Sequence, residues 1–214
     1  RSAVADTFVL RLLRLRREVS ADPLTTAIAN TFERMNSHHI ADLNALLTQF
    51  IAATPNADAK AQAERVAAFI ARTTEPWSRA TLVGHLTASA WVLDRTLTHV
   101  AMIHHRKLDK WLQPGGHIEE TDASWRAAAE REVSEEIGLT KFVSRADDAR
   151  LFDVDVHAIP ARGDVPAHFH YDLRFMFVAD THAEHDAELQ LNADEAHDCR
   201  WFALSALAND PTLE

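Results

Sequence analysis

The sequence has few of the residues that would indicate a secreted or membrane protein. Cys199 is the only cysteine among 214 residues, which excludes an intrachain disulfide and a cysteine-based zinc cluster and favours a reducing compartment. Glycine occurs five times and is absent from residues 1–75. No apolar run approaches the length of a membrane span, and no secretory signal peptide is visible. We therefore expect a cytoplasmic protein with no membrane partner.

Positive charge is also scarce, because 22 lysines and arginines stand against 32 aspartates and glutamates, for a net charge of −10. A chain without a basic surface gains little from displacing the counterions of phosphate backbones, so we do not expect a nucleic-acid partner. The hydrophobic share of 47% and the charged share of 25% are typical of a globular protein.

The chain has two parts that differ in composition and in the spacing of their apolar residues. Residues 1–78 are rich in alanine and leucine, and apolar side chains recur there at helical spacing, which predicts four short helices. These are expected near 7–19, after Asp22-Pro23, after a Ser37 cap, and around Val66 to Ile70. Such a segment would serve as a lid, a dimerisation element or a specificity arm, or it would cover an edge of the next domain. A homodimer is thus left open.

Residues 79–214 alternate between strand and helix patterns. Strands are predicted at 85–94, 97–105, 110–113, 150–159, 168–180 and 199–202, with a helix from Ala123 to Gly138 and another near Ser205. This order predicts an α/β domain whose mixed sheet is covered by helices.

An acidic group stands out at the end of the central helix, where Glu132, Glu135 and Glu136 follow Arg131. Glu132 is one turn from the other two, so three carboxylates share one edge and repel each other. A solvated acidic face is the ordinary explanation. A hard divalent cation is the alternative, and Mg²⁺ is the usual one where phosphates are present. A predicted turn at Pro114-Gly115-Gly116 before the helix and Gly138 after it favour the cation site.

Residues 115–139 resemble the signature of the Nudix hydrolases, which is Gly, five residues, Glu, seven residues, then Arg-Glu-apolar-x-Glu-Glu-x-Gly-apolar. Residues 131–139 meet the second half in full. The first half departs from it, because the position six after Gly116 is Asp122, and eight residues separate it from Arg131. Glu119, Glu120 or Asp122 takes the place of the first glutamate. Asp122 is also predicted to cap the helix that opens at Ala123.

The resemblance implies an α/β/α sandwich and a Mg²⁺-dependent enzyme, with Mn²⁺ as a substitute. It implies cleavage of a diphosphate linkage in a nucleoside-diphosphate-linked or related small metabolite, by in-line attack of metal-activated water. Arg131 would orient its glutamate neighbours. The general base is left open between Glu132 and Glu195. The implied metal ligands are Glu132, Glu135, Glu136 and the main-chain carbonyl of Gly115.

Histidines are the main candidates for substrate contacts. His117 follows the glycine pair directly, and His168 and His170 point the same way from the head of a strand. With His85 or His117, this pair would form a second metal site, or else the histidines line a substrate cleft or the surface. The predicted substrate-binding residues are His117, Arg106, His168, His170 and Tyr171.

Three other functions are weighed against hydrolysis of a small metabolite. A non-catalytic nucleotide-sensing module would usually lack some signature carboxylates, and all of them are present here. An RNA 5′-end pyrophosphohydrolase is disfavoured by the acidic charge. An isoprenoid diphosphate isomerase would need a cysteine at the active site, and Cys199 lies beside the last strand.

Overall fold

The computed structural model describes residues 39–144, 149–180 and 189–207. The chain divides into two compact units, residues 1–42 and residues 43–214. The first two predicted helices and the Ser37 cap lie outside the described residues. The predicted division into residues 1–78 and 79–214 stays a prediction.

Within the described residues, two helices precede the sheet, where the apolar spacing predicts the last two of the four. Helix α1 runs through residues 39–53 and buries Leu43, Leu47 and Phe50 along one side. Helix α2 (Ala57–Ile70) begins at Asn56, whose side chain accepts hydrogen bonds from two backbone N–H groups of the first turn. Its buried positions, three to four residues apart, form the stripe that packs inward.

In the described part of the chain, seven strands form one mixed sheet. The central path runs β3-β2-β1-β6-β5, and β4 pairs with β1 while β7 pairs with β2. The strands are β1 (Gly84–Leu93), β2 (His99–His105), β3 (Lys110–Leu112), β4 (Gly115–His117), β5 (Asp153–Ile159), β6 (His168–Val178) and β7 (Ala196–Ala203). The predicted α/β class with a mixed sheet and preceding helices is confirmed.

Strands β1 and β6 lie side by side and parallel over ten residue pairs, from Gly84 opposite Phe169 to Leu93 opposite Val178. Alternate residues of both strands face opposite sides of the sheet. One side is apolar and fully buried, with side chains such as Leu86, Leu173 and Phe175. The other side carries histidines, hydroxyls and charged groups.

Helix α3 (Trp125–Ile137) packs on β1 and carries the acidic group. Its N-cap is Ser124, whose hydroxyl accepts a hydrogen bond from the Ala127 N–H at 3.0 Å, so the prediction of an Asp122 cap is wrong. The helix ends at Gly138, whose left-handed φ of 73° suits a residue without a side chain. A short helix, α4 (Leu204–Leu207), follows β7.

Two strands differ from the prediction. The glycine pair was expected to form a turn, but it lies in β4, opposite Ser89 and Ala88 of β1. Strand β7 is longer than predicted, because pairing with β2 extends to Ala196 and Ala203. None of the helices in the described ranges combines the length and apolar content needed to span a bilayer.

Candidate active site

Arg131 holds together the elements around the acidic group. Its Nε and Nη2 atoms donate to the two carboxylate oxygens of Asp122 at 2.9 and 3.0 Å. Its Nη1 atom donates to Glu132 and to Glu135, both at 3.0 Å. Its Nη2 atom also reaches the backbone carbonyl of His117 at 2.8 Å. The guanidinium therefore fixes α3, β4 and the intervening loop in one arrangement.

Among the acidic residues before α3, Asp122 lies nearest in sequence to the place of the first glutamate of the Nudix signature. Besides its two bonds to Arg131, its carboxylate accepts a hydrogen bond from the Glu119 N–H at 2.8 Å. The side chain of Asp122 is buried, whereas Glu119 and Glu120 are exposed on the loop. Of the three acidic residues considered for this place, Asp122 is the one that the structure joins to Arg131.

The two glycines of β4 allow close approach on both sides of the strand. A Cβ atom on Gly115 would lie 2.3 Å from the Cβ of Ser89, and one on Gly116 would lie 2.7 Å from the carboxylate of Glu132. The Gly115 N–H donates to Glu136 at 2.8 Å. Glycine is therefore required because β1 and the carboxylates of α3 occupy the space that a side chain would fill.

Glu136 is buried and Glu132 is mostly so, with 12% of its side chain accessible, and ionising either carboxyl group is unfavourable there. Burial raises the pKa of Glu136 to about 8, against the hydrogen bond from Gly115 and with additional repulsion from Glu132, Glu195 and Glu135. Burial likewise raises the pKa of Glu132 to about 7, although Arg131 acts in the opposite direction. One arginine thus faces several carboxylates, and ionising all of them calls for further positive charge.

This donor set fits a hard divalent cation. Oxygen is the only ligand type that Glu132, Glu135 and Glu136 supply, and carboxylate oxygens are the ligands that Mg²⁺ and Mn²⁺ prefer. Glu135 is the most exposed of the three, with 54% of its side chain accessible, so it is open to a ligand from solvent. The Gly115 carbonyl, also predicted as a ligand, belongs to β4, and the N–H of the same residue donates to Glu136.

Glu195 approaches the acidic group from the loop before β7. Two backbone hydrogen bonds tie this loop to the end of α3, from Gln190 to the Ile137 carbonyl at 2.9 Å and from Asn192 to the Glu136 carbonyl at 3.1 Å. Repulsion from Glu195 contributes to the raised pKa of both buried glutamates. The structure therefore brings this predicted residue to the same site.

Arg106 does not extend its guanidinium to the carboxylates. Its Nη1 atom donates to the Ala193 carbonyl, and its backbone N–H donates to the Glu195 carbonyl at 3.1 Å. These contacts join the loop after β2 to the loop that carries Glu195. Arg106 thus supports the position of that loop, and its predicted contact with substrate stays a prediction.

The structure places His117, His168 and His170 together, with His85 at the centre of the group. The His85 ring centroid lies 5.0 Å from that of His117, 5.1 Å from that of His168 and 4.9 Å from that of His170. Burial lowers the pKa of His85 and His117 to about 4 and that of His170 to about 3, each with help from neighbouring positive charge. These imidazoles are neutral near pH 7. We call His85, His117, His168 and His170 the histidine cluster.

Tyr171 lies on the other side of the sheet from the histidine cluster. Its ring stacks on that of Phe69 from α2, with centroids 4.0 Å apart and planes within 7°. Its predicted role in binding substrate stays a prediction, and its observed contact is with a helix.

Sequence reasoning missed a buried polar network beside the histidine cluster. Asp172 accepts hydrogen bonds from Thr87, Ser89 and Arg174 at 2.9, 2.7 and 3.1 Å. The pattern that would have revealed it is the alternation along β1, where His85, Thr87 and Ser89 alternate with apolar residues. Strictly alternating polar residues in a strand buried on both sides indicate a polar interior.

The raised pKa values predict how the metal-free protein responds to pH. In EDTA, we expect the melting temperature to fall as the pH rises from about 7 to about 8, whereas below about pH 6.5 the buried histidines, whose pKa values are lowered, act in the opposite direction. Glu136 keeps its proton in the folded chain up to a pKa of about 8, whereas the unfolded chain releases it near 4.5. The protonated carboxyl group therefore stabilises the fold fully below the unfolded pKa, and this contribution is lost as the pH rises through the folded pKa of about 8. We expect the loss to be about 1 kcal/mol or more, which lowers the melting temperature by roughly 2–4 °C.

Glu136→Gln removes the titrating group and should flatten this dependence relative to wild type. Glu130→Gln, on the same helix but paired with Arg126, should keep the wild-type slope. Melting curves followed by circular dichroism across this pH range make the comparison. Equal slopes for wild type and Glu136→Gln would show that burial does not hold a proton on this group.

Fold and site together define an α/β protein with a cluster of carboxylates on a helix that follows a glycine-containing strand. The family model described as NUDIX domain matches residues 84–214, more than half of the chain. The chain therefore belongs to the Nudix family and is a Nudix hydrolase, as the resemblance of residues 131–139 implies. No curated protein gives a match to this sequence.

Several solved structures are similar to part of the chain. A NUDIX-family hydrolase from Clostridium perfringens is 21% identical over 61% of this chain and 88% of its own, with a TM-score of 0.41. The NUDIX domain of NrtR from Shewanella oneidensis, in complex with ADP ribose, is 17% identical over 68% and 87%, with a TM-score of 0.44. An Ap4A hydrolase from C. elegans is 15% identical over 56% and 80%, with a TM-score of 0.38. The family assignment rests on the sequence model.

Proposed function

We propose that this Nudix hydrolase is a Mg²⁺-dependent pyrophosphohydrolase, with Mn²⁺ as a substitute. Its substrate would be a nucleoside-diphosphate-linked or related small metabolite. The observation that supports this proposal is the set of Glu132, Glu135 and Glu136 on one edge of α3, two of them bound to one guanidinium and the third, Glu136, buried. Such a group is costly to ionise without a cation and well suited to hold one.

Glu132, Glu135, Glu136 and the carbonyl of Gly115 would hold the metal. When bound, Mg²⁺ supplies neutralisation of phosphate charge and acidification of water. Arg131 would not contact the metal and would orient the glutamates through the hydrogen bonds described above.

The reaction is the addition of one water molecule across a phosphoanhydride. The water oxygen bonds to one phosphorus as the bridging P–O bond breaks, and the departing phosphate takes the bonding electrons. The proton of the water goes to a carboxylate, for which Glu132 and Glu195 are the candidates. Glu132 is held by Arg131, whereas Glu195 lies on an exposed loop that the end of α3 fixes in place.

Two other functions on the same fold are less well supported. A nucleotide-sensing module would bind its ligand without turnover, and the intact acidic group argues against it. An RNA 5′-end pyrophosphohydrolase would need a basic path for the chain of phosphates, which the net charge of −10 disfavours. Burial raises the pKa of the Cys199 thiol, with Asp198 adding to the effect, so this cysteine is no activated group for isomerase chemistry.

The test is a panel of diphosphate compounds assayed with Mg²⁺, with Mn²⁺ and with EDTA. It includes nucleotide sugars, dinucleoside polyphosphates, oxidised nucleotides, dinucleotide cofactors and a 5′-triphosphorylated RNA. We expect hydrolysis of at least one small compound, loss of that activity in EDTA, and ¹⁸O from labelled water in a phosphate of one product. Turnover that persists in EDTA would refute the metal dependence. Binding of a compound without turnover would favour the sensing module.

The remaining expectations concern the setting of the enzyme. A cytoplasmic location and a homodimer formed through the N-terminal helices stay predictions. The same applies to substrate contacts of His117, His168, His170, Arg106 and Tyr171.

A further inference from the structure

His85 is a buried imidazole with no hydrogen-bond partner. Only 4% of the residue is exposed, and neither Nδ1 nor Nε2 has a polar partner. Leaving a buried donor or acceptor unsatisfied costs about 1–3 kcal/mol. The structure carries this cost at the centre of the histidine cluster, where the surrounding groups are other imidazoles.

His168 has a free nitrogen that is available for coordination. Its Nδ1 atom lies 2.9 Å from the Pro166 carbonyl, which can only accept a hydrogen bond. Nδ1 therefore carries the hydrogen, and the lone pair is on Nε2. A backbone carbonyl that fixes the tautomer in this way is the usual partner of a metal-binding histidine.

The ligand atoms of three histidines converge from two neighbouring strands. His85 of β1 stands directly opposite His170 of β6, and His168 lies two residues earlier on the same side of β6. One ring nitrogen from each of the three lies within 4.8 Å of the other two. Nitrogen ligands on a tetrahedral ion at the usual bond length are about 3.3 Å apart, so rotation of the rings brings them into range.

We propose that His85, His168 and His170 form a second metal site, which binds a divalent first-row transition ion such as Zn²⁺. Three imidazole nitrogens and no carboxylate among the ligands select a borderline ion rather than Mg²⁺. His117, whose ring centroid is 5.0 Å from that of His85, is a further imidazole beside the three and would be the candidate for a fourth ligand. The site would stabilise the junction of β1, β6 and β4.

This site is distinct from the acidic group. On β4, a side chain at Gly116 would point toward Glu132. The next residue, His117, points to the opposite side of the strand, where His85 lies. The positive charge of Arg79 acts on both His85 and His117 and opposes a cation there. Arg79 is exposed, so water screens its charge, whereas the coordinate bonds form inside the cluster.

The test measures zinc uptake by the full chain in the presence of excess Mg²⁺, which occupies the acidic site. By equilibrium dialysis, wild type and Glu135→Gln should each retain one Zn²⁺ per chain. X-ray absorption of the zinc-loaded protein should show about three imidazole nitrogens at about 2.0–2.1 Å. The double variant His168→Ala/His170→Ala should bind zinc at least about a hundredfold more weakly.

Controls separate loss of ligands from loss of fold. His197→Ala removes an exposed histidine of β7 and should keep wild-type affinity. If the double variant fails to fold by circular dichroism, His168→Gln replaces it and should weaken binding at least about tenfold. No zinc uptake by wild type, a shell of oxygen atoms only, or full uptake by a folded His168 variant would each overturn the proposal. Stabilisation by inorganic phosphate without zinc uptake would overturn it in favour of an anion site.

Discussion

Glu135→Gln is expected to lower kcat/KM on the best diphosphate compound at least about a hundredfold, which corresponds to about 2.7 kcal/mol of transition-state stabilisation. Glutamine keeps the shape of the side chain but removes the charge that would bind the cation. The fold should persist, because Glu135 is the most exposed of the three acidic side chains and its loss relieves repulsion on α3. Steady-state kinetics and melting curves give the two measurements.

Glu130→Gln is the matched control for this variant. Glu130 lies on the same helix and pairs with Arg126 at i,i+4. The substitution removes the same charge from α3 without touching Arg131, so it should leave kcat/KM within about twofold of wild type. Wild-type activity in Glu135→Gln would refute the assignment of Glu135 to the metal site.

Arg131→Lys is expected to lower kcat/KM at least about thirtyfold and to reduce the melting temperature by several degrees. Lysine keeps the positive charge, but it has no planar fork and cannot bind Asp122, two glutamates and the His117 carbonyl at once. Each lost hydrogen bond to a charged group is worth about 1.5–3 kcal/mol, and thirtyfold corresponds to about 2 kcal/mol.

The orienting role of Arg131 has its own readout. If the guanidinium acts by positioning the carboxylates, Arg131→Lys should need more Mg²⁺ for half-maximal activity, while a purely structural role would leave that concentration unchanged. Arg126→Lys, on the same helix, should keep the wild-type requirement. Full activity of Arg131→Lys with an unchanged Mg²⁺ requirement would show that the arrangement does not depend on this residue.

Local patterns predicted most of the fold. Apolar spacing located α1 and α2, and the strand patterns located β1, β2, β5 and β6 to within a few residues. The glycine at 138 predicted the end of α3 because few other residues adopt its backbone conformation. These features depend on neighbours within one or two turns, which is the range that a sequence pattern describes.

Other elements depended on pairing between distant segments. Asp122 and Ser124 are both good helix caps, and sequence alone favoured the wrong one. Arg131 decides between them, because it binds the Asp122 carboxylate and leaves Ser124 to cap α3. Similarly, the glycine pair reads as a turn until β1 is found to pair with it.

From the sequence alone follow the acidic group on one helix edge, the resemblance of residues 131–139 to the Nudix signature, and the α/β class. All three are properties of contiguous residues. Only the tertiary structure decided that His85 lies beside His168 and His170, which are far from it along the chain, and that Glu195 lies near the acidic group. It also decided that the histidine cluster and the acidic group lie on opposite sides of β4. A shift of one residue between β1 and β6 would turn His85 to the apolar side. The register between β1 and β6 is set by the packing of the whole sheet, so a pattern of neighbouring residues cannot predict it.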